Sequence, residues 1–445
     1  MSPLRTVRAR MPRHVRRSAL HLECLESRLP LAGNVTAQLL GSTLVLTGDA
    51  LDNQVIVASA PDGKMAVFGP AGNTINGSTN AFTTSRAVTN IVANLNGGSD
   101  QIGFGNDATA LRGWLQLGGT FWPQSIPDLQ SAINTATGST PAFVLPGSLS
   151  VTTGAGNDAV GIVGNVGGSV AANLGSAIAG ATSGNGFGIG DSQNKTFTSR
   201  VEGAVSVVGG PQIDYAAVNG TTVGGGVSLA LGNGENAGSV SGIGATIGSF
   251  AYTGGTANDT VNLTKQFTVK NGVSVFTGTQ GQDSISLNLS SGSTIGGSVV
   301  LDTGAGGGDD SVFVGNGNVQ GQLSVTTGTG NDEIDVDYVT VGLGLAVNSR
   351  AGNDDIEMNS NTVGLNTVID AGAGDDSVLL SDMQIRSTLF ASLGAGTDVL
   401  TVNDTTALAA FLCGGTGANT LNVNAATRTG IRTLRYYKFQ TVNNT

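Results

Sequence analysis

Seventy glycines against ten prolines in 445 residues, with 39% hydrophobic, 5% aromatic and 11% charged side chains, describe a turn-dense β protein and exclude a disordered chain, which would be poorer in aliphatics. A formal net charge of −11 argues against nucleic acid as a partner, because phosphate is bound by clustered Lys and Arg. Both histidines, His14 and His21, and Cys24, one of the two cysteines, fall within the first 33 residues. The remainder therefore has no histidine for a triad, dyad or zinc site and no internal disulfide.

Residues 1–33 read as a basic, export-associated leader, holding Arg5, Arg8, Arg10, Arg13, Arg16, Arg17 and Arg28. The basic part is not succeeded by the apolar core of an ordinary secretory signal, and the chain shows no transmembrane segment. The leader ends instead in LHLECLESRLPLAG, in which Leu22-Glu23-x-Leu25-Glu26-x-Arg28-x-x-Leu31-Ala32 resembles the N-terminal motif of planctomycete extracellular proteins. The resemblance implies export to the cell surface or beyond. It covers about 14 of the 445 residues and departs from the motif at Cys24, Ser27 and Pro30. The residues by themselves also allow a solvated basic tail that touches anionic lipid or nucleic acid.

Residues 34–110 are expected to form an N-terminal β cap and the first coils of a stack. The runs TLVLTG, NQVIVAS and KMAVFG, separated by Asp-rich turns, suit antiparallel strands closing an open sheet end that would otherwise invite aggregation. Residues 111–146 break the pattern. Trp114 and Trp122 stand there beside PDLQSAINTA, whose Pro127, Leu129 and Ile133 predict a short helix. The segment reads as a loop packed on the stack by its aromatics or as a ligand-binding excursion.

Residues 147–427 carry a repeat. Asp310, Asp332, Asp354, Asp376 and Asp398 recur every 22 residues, with Asn419 coming after 21. Looser copies occur at Asp259 and Asp283, and degraded ones in GAGNDAVGI (154–162) and GNGENAGSV (232–240). A fixed period of this size is the mark of a solenoid, in which each coil buries its apolar face only against its neighbours. Two and four places beyond each Asp stand Val312 and Val314, Ile334 and Val336, Ile356 and Met358, Val378 and Leu380, Leu400 and Val402. This period-two pattern predicts a strand with one inward face. Leu323 and Val325, Leu345 and Val347, Thr367 and Ile369, Leu389 and Ala391, Phe411 and Cys413 predict a second strand, and Val319, Val341, Val363 and Ile385 a third short contact. Cys413 is thus expected in the core. The fold class is all-β, a right-handed parallel β-helix (β-solenoid) with 22-residue coils and capped ends. Residues 34–445 would make roughly 19 coils stacked over about 90 Å. In residues 428–445, Arg428 and Arg432 fall on offsets that are apolar in earlier coils, so the ladder is expected to be stopped by charge in a C-terminal cap.

Stacked in register, the repeat aspartates would lie about 5 Å apart and repel by roughly 1 kcal/mol per pair in water, several times more at a buried corner. Asn331 and Asn353, standing where other coils have Asp309 and Asp375, relieve part of this. A hard cation would relieve more, since carboxylates and turn carbonyls are the ligands Ca²⁺ takes. GTGNDEIDV (328–336) and GAGDDSVLL (372–380) resemble the calcium-binding RTX repeat, G-G-x-G-x-D-x-U-x. That resemblance implies Ca²⁺ held between turns by Asp309, Asp310, Asp332, Asp354, Asp355, Asp375, Asp376 and Asp398. The pattern departs from it in having one such turn per 22 residues rather than one every nine, and in placing Arg350 where a turn glycine belongs. A plain Gly-Asn-Asp structural turn and a Ca²⁺ column both remain open.

Repetition without a unique cluster points to a non-catalytic structural or adhesive protein, extracellular or on the cell surface. Its partners would be surface or matrix polysaccharide or protein, or its own ends. A carbohydrate-active β-helix enzyme and a calcium-buffering module are the alternatives. The enzyme would need acids or bases that break the repeat, and here the acids keep to the period. Asp335, Asp337 and Glu357 lie on outward positions of neighbouring coils and read as a solvated sheet face.

Overall fold

The computed structural model describes residues 33–70, 72–116, 126–139, 142–177, 184–190 and 199–445. The leader motif, both histidines, Cys24 and Trp122 lie outside them. The described chain is all-β, with parallel sheets stacked as a solenoid of about 13 turns. Each repeat contributes one strand to each of three sheets. Ile334, Ile356, Val378 and Leu400 pair in register in one. Val319, Val341, Val363 and Ile385 do so in a second, and Val325, Val347, Ile369 and Ala391 in a third. These are called below the Ile334, Val341 and Val347 sheets. All twelve side chains are 4% exposed or less. Side chains in one continuous core ladder each contribute about 1.5–3 kcal/mol on burial when they are Val, Leu or Ile.

The stack has fewer turns than length divided by 22 gives, because the early coils are long. Ile102 pairs with Val160, and Val160 with Phe187, the first step spanning the segment with the helices. The N-terminal residues make antiparallel pairs, Thr36–Leu40 with Thr43–Thr47 and Ile56–Ser59 with Met65–Phe68.

Two helices cover the outside of the early coils. Helix α1 (Ala108–Leu115) is capped by Asp107, whose carboxylate accepts from the Thr109 and Ala110 amides. Helix α2 (Ile126–Thr137) carries Leu129 and Ile133, both buried, as the sequence spacing predicts. The apolar face of α1 meets a sheet surface stripped of side chains, since Gly103, Gly161 and Gly188 approach Leu115 and Trp114. The Trp114 indole N–H donates to Gly190 O at 2.7 Å. A Cβ on Gly188 would lie 2.0 Å from the Trp114 ring. Gly188→Ala is therefore expected to cost about 1–3 kcal/mol by overpacking and to red-shift tryptophan emission; an unchanged melting midpoint and spectrum would refute this packing.

Three expectations are corrected near the C-terminal end. Cys413 does not occupy the core ladder: Ala391 pairs with Leu412, and Cys413 pairs with Ser392 at a partly exposed position. Phe411, expected inward, pairs with Phe390 and is 36% exposed. Gln384 still bridges Thr406 at a spacing of 22, whereas Thr388 pairs with Ala409 at 21. The residue lost between them turns Ala410 and Leu412 inward in this strand in place of Phe411 and Cys413. In the next coil the spacing changes again, Ala407 pairing with Ile431 and Phe411 with Arg435, and Thr427 and Ile431, not Arg428 and Arg432, are the buried residues, at 0% and 4% exposure. The arginines therefore do not stop the ladder. A short helix α3 (Ala425–Gly430), capped by Asn424, leads instead into a mostly exposed last strand, Ile431–Tyr437.

Candidate functional site: a buried aspartate ladder

The aspartate that opens each repeat points into the stack. Asp310, Asp332, Asp354, Asp376 and Asp398 are at most 4% exposed. Each gives its Oδ1 to the backbone N–H of the equivalent residue one coil earlier. Asp283 N donates to Asp310 (2.8 Å), Asp310 N to Asp332 (2.8 Å), Asp332 N to Asp354 (2.9 Å), Asp354 N to Asp376 (3.0 Å) and Asp376 N to Asp398 (3.1 Å). The column continues through Asn419 to Gln440. Towards the N-terminus it runs through Asp283, Asp259, Asn236, Asp214, Asn185, Asp158 and Asp100 to the amide of Asn53, with one exception: at Asp214 the donor is the side-chain Nδ2 of Asn185, whose backbone N–H donates to Ile213 O instead. Backbone groups buried at a corner must be satisfied, and this side chain satisfies one per coil.

The preceding residue does the same in the opposite direction and at the surface. The exposed Asp309 accepts from Asn331 N (2.8 Å), Asn331 Oδ1 from Asn353 N (2.9 Å), Asn353 Oδ1 from Asp375 N (2.8 Å) and Asp375 from Thr397 N (2.7 Å). The Asn-Asp dipeptide is thus two antiparallel staples, one reaching forward and one back. The second glycine of each G-x-G has a steric origin, since a Cβ on Gly352, Gly374 or Gly396 would sit 1.6, 1.8 or 1.7 Å from the carbonyl oxygen of the glycine one coil earlier. Arg350, at φ 64°, takes a turn position suited to glycine and spans coils: its guanidinium donates to Thr327 O at 2.7 Å and also to Gly304 O.

The second carboxylate oxygens decide the chemistry. Thr277 donates to Asp283 Oδ2 and Thr303 to Asp310 Oδ2, and Gly210 N donates to Asp214 Oδ2 at 2.6 Å. In Asp100, Asp158, Asp332, Asp354, Asp376 and Asp398 the Oδ2 atom is buried with no hydrogen-bond partner among the described residues. Burial pushes the carboxyls of the column up, with or without a partner on Oδ2: Asp100 to about 8, Asp376 and Asp259 to about 7, and Asp158, Asp214, Asp310 and Asp354 to about 6. Asp283, Asp332 and Asp398 are raised for the same reason. Neighbouring aspartates reinforce the shift at Asp376. Strand register sets Ala371 where Ser349 and Thr327 stand in the preceding coils, so Asp376 lacks the hydroxyl that Asp310 has. Ala371→Thr is expected to supply that donor and raise stability at neutral pH by about 1 kcal/mol; a lowered melting midpoint would count against it.

Eight aspartates carry the calcium expectation, and the fold separates them into three groups. Asp310, Asp332, Asp354, Asp376 and Asp398 form the inner column, Asp309 and Asp375 the outer one, and Asp355 stands exposed on the strand Asp355–Asn359. Ca²⁺ takes six to eight converging oxygens. Here each column member already spends one oxygen on an amide, and among the described residues no group of three or more His, Cys, Asp or Glu side chains is placed to hold a metal ion. Asp100 and Asp214 belong to the column although no period marks them. The available signal was the apolar pair two and four places on, Ile102 and Phe104, Ala216 and Val218.

Comparison with protein-family models, with curated proteins and with solved structures finds no match.

Proposed function

We propose that this chain is an exported structural repeat protein of the cell surface or matrix, working as a stiff rod rather than through a pocket. The observation that carries this reading is the side-chain column from Asn53 to Gln440, which ties each coil to the next by a side-chain hydrogen bond, at every step but Asn185–Asp214 to the backbone N–H. A repeated contact of this kind makes stability a sum of neighbour terms and gives a body extensible along one axis. About 13 turns at ~4.8 Å each give a length of about 60 Å. Export is supported by the motif at residues 22–32. No helix among the described residues is long and apolar enough to cross a membrane. The rod presents polysaccharide or protein partners with flat sheet faces. Its aspartates are held by hydrogen bonds along the column, and their burial favours the protonated carboxyl, which offsets part of their charge.

The test uses the full chain with a C-terminal epitope tag, produced in its native cells. The tag should be removed by protease added to intact cells, and the chain should fractionate with the envelope or medium. A tag protected until the cells are broken, with a cytoplasmic marker behaving alike, would sink the export reading. Loss of a glycosidic polymer on incubation with the purified chain would replace the structural reading with the enzymatic one.

A further inference from the structure

The rod is acidic, yet its last coil is not. Beyond Asp404 the chain has no acid, and Arg428, Arg432, Arg435 and Lys438 take over. Strand Ile431–Tyr437 joins the Val347 sheet with Arg435 beside Phe411 and Tyr437 beside Cys413, and Phe411 in turn lies beside Phe390. Phe390, Phe411 and Arg435 therefore form one outward row, flanked by Leu408 and Tyr437, each 57% exposed. Arg432, Arg435 and Lys438 are exposed and make no ion pair among the described residues. A cluster of Arg, Tyr and Phe on a flat face has the composition of a protein-interface core.

A different face carries the complementary charge. On the Ile334 sheet, Glu333 pairs with Asp355 and Asp335 with Glu357, with Asp337 beside Asn359. These five carboxylates crowd two adjacent strands without a cationic partner among the described residues. Partial burial and their mutual repulsion raise Asp335 to about 6. The two patches lie on different sheets, the acidic one on the Ile334 sheet and the aromatic-arginine one on the Val347 sheet, so they face different ways within one chain.

We propose that the aromatic-arginine face of one copy, centred on Phe411 and Arg435, docks on the acidic strands Glu333–Asp337 and Asp355–Asn359 of a second copy. This goes beyond the rod reading, which needs no self-association. A second copy fits better than a neutral polysaccharide because it carries the acidic strands that complement Arg432, Arg435 and Lys438, and because Phe390 and Phe411 stack on each other, centroids 5.4 Å apart at 14°, which takes up one face of each ring. The contact is heterologous, using each patch once, so copies add in an open series.

Sedimentation velocity of the full chain tests this. At low salt the weight-average mass should rise at least about twofold with concentration, and it should return to the monomer value at high salt, where exposed charges are screened. Arg432→Glu with Arg435→Glu should abolish association, as should Glu333→Lys with Glu357→Lys. An equimolar mixture of the two double variants restores both complementary pairings and should associate again. All four positions are surface ones, and circular dichroism identical to the parent confirms that the variants fold. A parent chain that stays monomeric at low salt overturns the proposal. So does association that survives the arginine reversals, which would assign the contact to the arginine-rich residues 1–32. A mixture that fails to associate overturns the pairing of these two faces.

Discussion

Asp354→Ala is expected to destabilise the stack by about 2–3 kcal/mol, whereas Asp354→Asn leaves it within about 0.5 kcal/mol of the parent at neutral pH. The alanine removes the acceptor for the Asp332 amide, 2.9 Å away, and leaves that buried donor without water or protein to replace it. Leaving a buried group unpaired costs more than a hydrogen bond contributes on average. Asparagine keeps the acceptor, and the chain already shows what its other atom does. Asn236 Nδ2 donates to Gly232 O at 2.8 Å, four residues back, and Asn419 Nδ2 donates to Gly414 O. At position 354 the corresponding carbonyl is that of Arg350. Solenoids open locally rather than in one step, so the sharpest readout is native-state hydrogen exchange at the Asp332 amide, accelerated by the alanine and unchanged by the asparagine. Equal effects of both substitutions would mean that charge, and not the acceptor, is what position 354 supplies.

Acid should strengthen this protein over a range in which most proteins have begun to weaken. Unfolded aspartate titrates near pH 3.9, while the folded column titrates higher, at about 6 for Asp354 and Asp310, about 7 for Asp376 and Asp259 and about 8 for Asp100. Between those values the folded state binds more protons than the unfolded one, so stability falls as pH rises. The contribution is fully present below about pH 4 and is lost progressively through about pH 6 to 8. Each carboxyl contributes about 1.4 kcal/mol per pH unit where its two states differ by a whole proton. With several members titrating together, the thermal midpoint is expected to drop by many degrees from about pH 5 to about pH 8. Replacing Asp376 with asparagine should flatten that slope by one proton's worth. A midpoint that climbs over the same range would reverse the sign and show ionised aspartates stabilised in the fold.

Much of this architecture is legible in the sequence because a solenoid writes each contact many times. The pairs Ile334/Val336 and Ile356/Met358 announce the inward face of one sheet, and the 22-residue spacing fixes their register. Where one residue is dropped, that legibility ends. Around Leu408 the chain offers Ala410 and Leu412 or Phe411 and Cys413 as the inward pair, both period-two and both apolar, and only the pairing with Thr388–Ser392 chooses between them. The aspartate column was legible as a registered line of acids but not as two lines. Adjacent residues such as Asn353 and Asp354 point to opposite sides of the corner, so Asp354 staples backwards from the interior and Asn353 forwards from the surface. Helix α1 left little trace because its stability comes from outside itself, from the bare glycine surface under Trp114 rather than from a long amphipathic run.

Whether the column is a line of protonated carboxyls or an ionised metal-binding line is decided by infrared difference spectroscopy of the carboxyl C=O stretch, recorded through a pH titration of the full chain in EDTA and again in millimolar Ca²⁺. A protonated column gives a carboxyl band that survives at about pH 6, where exposed aspartates are ionised, and bleaches between about pH 6 and 8. The band should shrink in Asp354→Asn and Asp376→Asn and be the same with and without Ca²⁺. A band already gone at about pH 5, or one that added Ca²⁺ abolishes, would contradict the protonated column and make it an ionised line that binds metal.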